Sequence, residues 1–311
     1  MEAEIAGDPM GGTRLVRRSL RNLSRELRGL NHQACPTTVG RLLRKQGYSP
    51  KSNNKKITGP PHPDRDTQFK YIEAQKKAFM GAVLPVISVD TKKKELVGNF
   101  KNPGRIWCQK AEEVNVYDFQ DDAVGHAVPY GIYDVNHNLG FVGIGKSHDT
   151  PKFAVDAISL WWKKQGQMLF PKADKLLILA DAGGSNGCRP RSWKQQLQEQ
   201  LADSVGVEVT VCHYPTGASK WNPIEHRLFA PISINWAGKP LRTFKLAADL
   251  IRNTKTQTGL KVKAALMRRH YDKGVKVTDQ QFQALNLIPH DTCPQWNYSI
   301  KPHPTLTTYS A

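Results

Sequence analysis

Two short, almost uninterrupted apolar runs govern what this chain can fold into: AVLPVISVD over residues 82–90 and KLLILAD over residues 175–181. Runs of this length without polar alternation are typical of strands buried on both faces, as in a sheet with helices on either side. Each run stops at a carboxylate, Asp90 in the first and Asp181 in the second. Carboxyl ends of strands in an α/β sheet are where functional groups gather on rigid scaffold. If the two strands adjoin, their aspartates repel each other unless a cation lies between them. The fold expected is therefore α/β, a mixed sheet flanked by helices.

A third acid follows in CHYPTGASKWNPIEHRLF, residues 212–229, which comes directly after the β-rich run VEVTV. Asn222 suits a helix N-cap, and Pro223 suits the first helical position, where a missing N–H costs nothing. Glu225 then falls on the third position. There it is either the acid of a capping box reaching back to Asn222 or the third corner of an acidic site. Three hard oxygen donors suit magnesium, which takes few carboxylates and completes its shell with waters and phosphates. Two such ions ~3.5–4 Å apart can clamp the attacking and leaving oxygens of an in-line phosphoryl displacement.

The net charge of +18 and a pI near 9.7 point to a polyanionic partner, nucleic acid or an acidic membrane surface. The charge is concentrated: between Gly11 and Ile57 lie twelve Lys or Arg and one acid, Glu26. After an irregular start over residues 1–12, apolar positions over 13–29 recur at helical spacing, and a second helix spans 37–46. Gly47 stands where a left-handed residue closes a helix. With Arg41, Arg44 and Lys45 on the second helix, the pair fits a helix-turn-helix for DNA, or a basic hairpin with a solvated face. Residues 51–63 read as a linker ending in Gly-Pro-Pro-His-Pro, and the main domain begins near Asp64. No apolar run approaches the ~20 residues of a membrane span. Five scattered cysteines without a CxxC pair argue against a disulfide framework or zinc site, and for a reducing, cytoplasmic setting.

The remaining pattern predicts a strand over 95–100, paired β segments within 126–145, and helices over 151–165 and 192–203. Further helices are expected over 241–253, 260–270 and 278–285, with an irregular tail from residue 286. The second of these, over 260–270, carries Lys261, Lys263, Arg268 and Arg269 and would extend a DNA-binding surface. Near the acids, Lys92, Lys93 and Lys94 read as a phosphate rail or as a solvated turn. Gly183, Gly184 and Asn186 read as a place for DNA backbone to approach closely or as a plain turn. Lys220 and Trp221 are DNA contacts, with Trp221 stacking on an unpaired base, or Trp221 is core. His213 and His226 flank the third acid and read as structural more readily than as direct participants. Asp118, Asp121 and Asp122 form an acidic cluster in a loop without strand support and rank below Asp90, Asp181 and Glu225.

Four motifs taken in order, SVDTKKKELVGNFKNPGR, ADAGGSNG, HYPTGASKWNPIEHRLF and PQWNYSIKP, resemble the DDE domain of insertion-sequence transposases of the Rhodopirellula type. That family is part of the RNase H-like transposases and integrases, and the resemblance runs over residues 13–302. It implies a helix-turn-helix region over 13–50 and an RNase H-like catalytic domain over 64–302, with a tail over 303–311. It also implies that Asp90 and Asp181 are strand-borne metal ligands and Glu225 the helix-borne third, together forming a catalytic D-D-E triad. The cofactor implied is two magnesium ions, with manganese able to substitute. The reaction implied is hydrolysis of a phosphodiester at a transposon end, then attack of the freed 3′-hydroxyl on target DNA. Double-stranded DNA is then the partner, with at least a homodimer in the active complex, in the bacterial cytoplasm at the nucleoid and away from membranes. Family members carry more sequence ahead of the helix-turn-helix, which implies a shortened start here, and Pro103, Ala182 and Pro223 depart from the family pattern. Two other readings stay open: a related nuclease that cuts without joining, and a DNA-binding remnant or regulator that uses only residues 13–57.

Overall fold

The computed structural model describes residues 5–8, 11–16, 18–51 and 62–304, and the chain divides into two compact units, Met1–Thr58 and Gly59–Ala311. In the first unit, β1 (Ile5–Asp8) and β2 (Gly11–Val16) pair antiparallel and precede α1 (Leu20–Gly29) and α2 (Pro36–Lys45). The expected irregular start and the helix from residue 13 are thus corrected: a strand pair comes first. The helix waits for Ser19, whose extended backbone and side-chain oxygen, accepting from Asn22 N at 3.2 Å, make the N-cap. Pro36 opens α2 at the position where its missing N–H is harmless, and Gly47 closes it with φ +82°. A Cβ on Gly40 would lie 3.1 Å from Leu20 Cδ1, so glycine there lets α1 pack against α2. Ser24, buried beside them, donates to Ala34 O at 2.6 Å and ties the connecting turn to α1. Arg41, Arg44 and Lys45 are exposed on α2. Of the linker, residues 52–61 lie outside the described residues, as do 305–311 of the tail.

The second unit opens with α3 (Arg65–Gly81), β3 (Val86–Thr91), β4 (Glu95–Val97), β5 (Gly125–Asp134) and β6 (Leu139–Gly145). Next, α4 (Pro151–Trp161) runs through a π-turn (Trp162–Gly166) into α5 (Gln167–Leu169), followed by β7 (Lys175–Asp181). Similarly, α6 (Arg191–Leu197) runs through a π-turn (Gln198–Ala202) into α7 (Asp203–Val205), followed by β8 (Glu208–Tyr214). A further π-turn (Glu225–Phe229) leads into α8 (Ala230–Asn235), and the unit ends with α9 (Phe244–Arg252), β9 (Lys261–Leu266), α10 (Asp279–Gln283), β10 (Leu287–Pro289) and β11 (Asn297–Ile300). No helix among the described residues is long and apolar enough to cross a membrane.

Nine strands form one sheet in the order β10-β11-β8-β7-β3-β5-β6-β9, with β4 alongside β5. Within it, β3 is central: β5 and β6 follow antiparallel on one side, β7 and β8 parallel on the other. This three-strand meander joined to two parallel strands is the RNase H-like arrangement the sequence led us to expect. Both apolar runs are buried on both faces, with Val86–Val89 and Leu176–Ala180 fully inaccessible. Strand β3 begins at Val86 rather than residue 82 because 82–85 serve to leave α3, with Val83 exposed at φ +57°.

Side-chain alternation divides the core. Ile87, Val89, Leu176, Ile178 and Ala180 pack against α4 and α6, while Val86, Leu177 and Leu179 face α3. Helices α8 and α9 cover β5 and β6 on the far side from α4.

Two expected elements are corrected. Residues 261–266 form a strand parallel to β6 instead of a helix. Lys261 and Lys263 point to solvent around buried Val262, so the alternation KVK and the open edge of β6 outweigh the helical spacing of Leu260, Ala264 and Met267. The supposed tail beyond 286 supplies β11, which inserts beside β8 with Asn297, Tyr298, Ser299 and Ile300 all buried.

Candidate active site

The parallel register of β3 and β7 sets Val86 opposite Leu177 and Ser88 opposite Leu179. Two residues further on, the same register brings Asp90 level with Asp181, and the period of two puts both on the face that Ser88 and Leu179 share. Across β3 on its other side, Asp90 pairs with Gly131 of β5. A Cβ on Gly131 would lie 2.4 Å from Phe229 Cε1 and 2.8 Å from Ile224 Cδ1. The missing side chain is what lets the helix that carries Glu225 close down beside Asp90.

That helix begins where the sequence places it, but its cap is different. Asn222 is fully buried, and its side chain faces the sheet instead of its own helix. Its amide nitrogen donates to Asp181 Oδ1 at 3.0 Å and lies 3.4 Å from Val89 O, and its amide oxygen accepts from Ser88 Oγ. Ser88 Oγ in turn accepts from Ile224 N at 3.1 Å, so a strand residue caps the helix. The Asn222 amide goes to Ser219 O, not to Glu225, and no capping box forms. Among the described residues the Glu225 carboxylate has no hydrogen-bond or ion-pair partner, and it sits in a π-turn, a feature that recurs at functional sites.

The acids are electrostatically strained. Burial pushes Asp90 up to about 8, helped by the charges of Asp181, Glu225 and Asp149 and opposed by Thr91 N–H, which donates to Oδ1 at 2.7 Å. Burial raises Asp181 despite the Asn222 donor, and raises Glu225 together with the Asp181 charge, against His226 and Lys92. Carboxylates raised by burial, two of them also by the charge of Asp181, fit a divalent cation as the missing counter-charge. The donor set is all oxygen, and the buried Tyr130 hydroxyl, which feels the charge of Asp90, has no partner among the described residues. No group of three His, Cys, Asp or Glu among the described residues is gathered closely enough to cage a metal by itself. For magnesium that is the usual case, since waters and substrate phosphates complete the shell.

The basic residues divide. Lys93 and Lys94 are exposed. Lys92 is not part of that rail: it is 8% exposed, pairs with Glu95 at 3.0 Å and lies 4.6 Å from the Trp236 ring centre. Trp221 is 44% exposed, but Lys220 Nζ stands 4.1 Å from its ring centre and the Arg65 guanidinium 4.7 Å away, where a stacked base would compete with them. Asn186 is buried in the turn after Asp181, so it does not offer DNA an exposed contact. Gly187 closes that turn, since a Cβ there would lie 2.7 Å from Ala182 O. Among the described residues, Asp118, Asp121 and Asp122 belong to no metal-holding group.

Two participants, Ser88 and Asp149, escaped the sequence, whereas His213 reads there as structural. Ser88 is an anonymous polar residue inside an apolar run. Asp149 follows β6 in a loop, where Thr91 Oγ1 donates to its Oδ1 at 3.1 Å. His213 is fully buried, and burial pushes its imidazole down to about 4, so it is neutral.

The model of the family described as Rhodopirellula transposase DDE domain matches residues 1–302. Among solved structures the chain is similar to the Mos1 transposase paired-end complex with the left transposon end, at 11% identity and TM-score 0.44, covering 73% of this chain and 63% of that one. A pre-cleavage Mos1 transpososome aligns at 10% identity and TM-score 0.44, covering 73% and 64%. The Mos1 mariner paired-end complex with Mn aligns at 12% and 0.43, with the same coverage. This chain thus spans slightly less than two thirds of the length of those solved chains. No curated protein matches the sequence.

Proposed function

The chain belongs to the Rhodopirellula transposase DDE domain family, and from that premise we propose that it is a D-D-E transposase of a bacterial insertion sequence. The observation that supports the residue assignment is that Asn222 ties Asp181, the end of β3 at Val89 and the helix start before Glu225 together, with Asp90 feeling the charges of both other acids. Asp90, Asp181 and Glu225 would hold two magnesium ions, or manganese in their place. Bound there, the ions supply Lewis-acid stabilisation of charge on the attacking and leaving oxygens of phosphodiester hydrolysis and strand transfer.

The protein's own part is to hold and orient. Asn222 holds the Asp181 carboxylate in place, and Phe229 against Gly131 fixes the helix of Glu225. Lys93, Lys94, Lys220 and Arg65 line the approach with positive charge suited to DNA phosphates, and Arg41, Arg44 and Lys45 on α2 suit a duplex. Joining two transposon ends requires at least two copies of the chain. Exposed Trp107, Tyr117 and Phe119, in the loop between β4 and β5, give a second copy an apolar surface. The setting is the cytoplasm, at the nucleoid.

The test is a cleavage and joining assay on the DNA that flanks the gene, in magnesium or manganese. Asp90→Ala, Asp181→Ala and Glu225→Ala each abolish both steps while DNA binding survives; full activity of any one removes that residue from the site. Supplying pre-cut 3′ ends separates a transposase, which joins them to target DNA, from a nuclease, which does not.

A further inference from the structure

Every polar atom of His213 is engaged. Its backbone N–H donates to Trp296 O at 3.0 Å, and its carbonyl accepts from Gln68 Nε2 at 2.8 Å. Gln68 is itself locked in a reciprocal amide pair with Asn297, at 2.7 and 2.6 Å. The ring lies 2.9 Å through Nδ1 from the Asp181 carbonyl and 3.1 Å through Nε2 from the Tyr298 hydroxyl. Tyr298 is also reached by Trp193 Nε1 at 2.9 Å.

The chemistry of these groups dictates the direction of every bond. A carbonyl only accepts, so His213 Nδ1 carries the proton. An indole N–H only donates, so Tyr298 Oη accepts from Trp193. The tyrosine proton then goes to His213 Nε2, which must be the unprotonated nitrogen. The result is a one-way chain, Trp193 to Tyr298 to His213 to the Asp181 carbonyl, with the three side chains almost wholly inaccessible. From α6, Lys194 Nζ adds a bond to Cys188 O at 2.8 Å, closing the turn that follows Asp181.

We infer that His213 and Tyr298 are positioning residues for the acidic site: the final strand, through this directed chain, sets the main chain at Asp181 and so the aim of its carboxylate. The inference rests on the reading of Asp181 as a metal-holding residue. It also gives a role to the closing segment PQWNYSIKP, which touches none of the three acids in any hydrogen bond described above. Support at one remove of this kind is commonly worth 10–100-fold in metal affinity or activity.

The experiment titrates manganese alone into the full-length protein, reading the free ion by electron paramagnetic resonance, with thermal stability followed in parallel. His213→Ala weakens manganese binding by about tenfold or more. His213→Asn keeps an N–H donor at the position of Nδ1 and retains binding within about threefold of wild type. Tyr298→Phe leaves the ring in place but removes the hydroxyl, and falls between the two. Nitrogen NMR of the wild-type ring shows the Nδ1-protonated tautomer. The inference is overturned if both His213 variants bind manganese as wild type does, if their losses merely follow their losses in Tm, or if the Nε2-protonated tautomer is found. Asp181→Ala is the control: manganese binding unchanged in that variant would sink the assignment of Asp181 itself. Loss in Asp181→Ala with wild-type binding in His213→Ala and Tyr298→Phe would sink only the positioning role.

Discussion

The Asn222 side-chain amide donates to Asp181 Oδ1 at 3.0 Å while its oxygen accepts from Ser88 Oγ, which itself caps the helix start at Ile224 N. One buried side chain therefore connects a strand-end acid, the neighbouring strand and the helix of the third acid. Asn222→Ala should lower DNA cleavage by about 10–100-fold. It should also destabilise the fold by about 1–3 kcal/mol, because Ser88 and the Asp181 carboxylate lose a buried partner. Single-turnover cleavage and urea denaturation measure the two effects separately. Wild-type cleavage with reduced stability would make Asn222 a core residue only.

The raised carboxylates make the metal-free protein sensitive to alkali. Asp90 holds its proton up to about pH 8 in the folded chain, against 3.8 as its ordinary value. Folding is therefore favoured by this group below the ordinary value, and the contribution is lost as pH rises through about 8. One pKa unit between folded and unfolded chains is worth about 1.4 kcal/mol, so the metal-free Tm should fall by at least about 3 °C between pH 5 and 8.5. Asp90→Asn should flatten that fall, and magnesium should raise Tm more at pH 8.5 than at pH 5. A metal-free Tm that does not decline over this window would refute the strain among the acids.

Adjacent lysines should behave differently. Lys92 is buried between Glu95 and Trp236, whereas Lys93 and Lys94 reach solvent. Lys93→Ala and Lys94→Ala should each weaken DNA binding nearly uniformly across sequences and reduce the slope of log affinity against log salt by about 1. Lys92→Ala should leave that slope unchanged and lower Tm, since Glu95 loses its partner. Salt-dependent binding isotherms of the three variants decide the matter; equal slopes in all three would restore the continuous rail.

The sequence carried the site further than it carried the edges of the fold. Asp90 and Asp181 were legible because a doubly buried strand has a composition of its own, and a strand that ends in an acid is conspicuous. The helix start at Glu225 was legible from Asn222 and Pro223, local signals that need no partner. Its cap was not, because Ser88 lies 134 residues before Asn222 and nothing local distinguishes it from a tolerated core serine. Strands β9 and β11 failed for the same reason in a different form. Residues 261–266 and 297–300 become strands by pairing with β6 and β8, and that contact is long-range. Asp149 left no signal because a loop acid is recognised only by what it meets, here Thr91.

Trp221 is the remaining case in which side-chain chemistry and structure suggest different roles. An exposed tryptophan beside a helix start invites a stacked base, yet both Lys220 and Arg65 sit over its ring, with Phe69 at its edge. Among the described residues neither cation has a carboxylate partner. The indole thus acts as a platform that holds two positive charges in place, an interaction worth about 0.5–1 kcal/mol at exposed sites. Trp221→Phe preserves an aromatic face and should bind single-stranded and duplex DNA within about twofold of wild type. Trp221→Ala should weaken binding by about as much as Lys220→Ala, and the double variant should lose less than the sum, because both changes disable one arrangement. Additive losses, or a defect in Trp221→Phe confined to single-stranded DNA, would return the residue to base stacking.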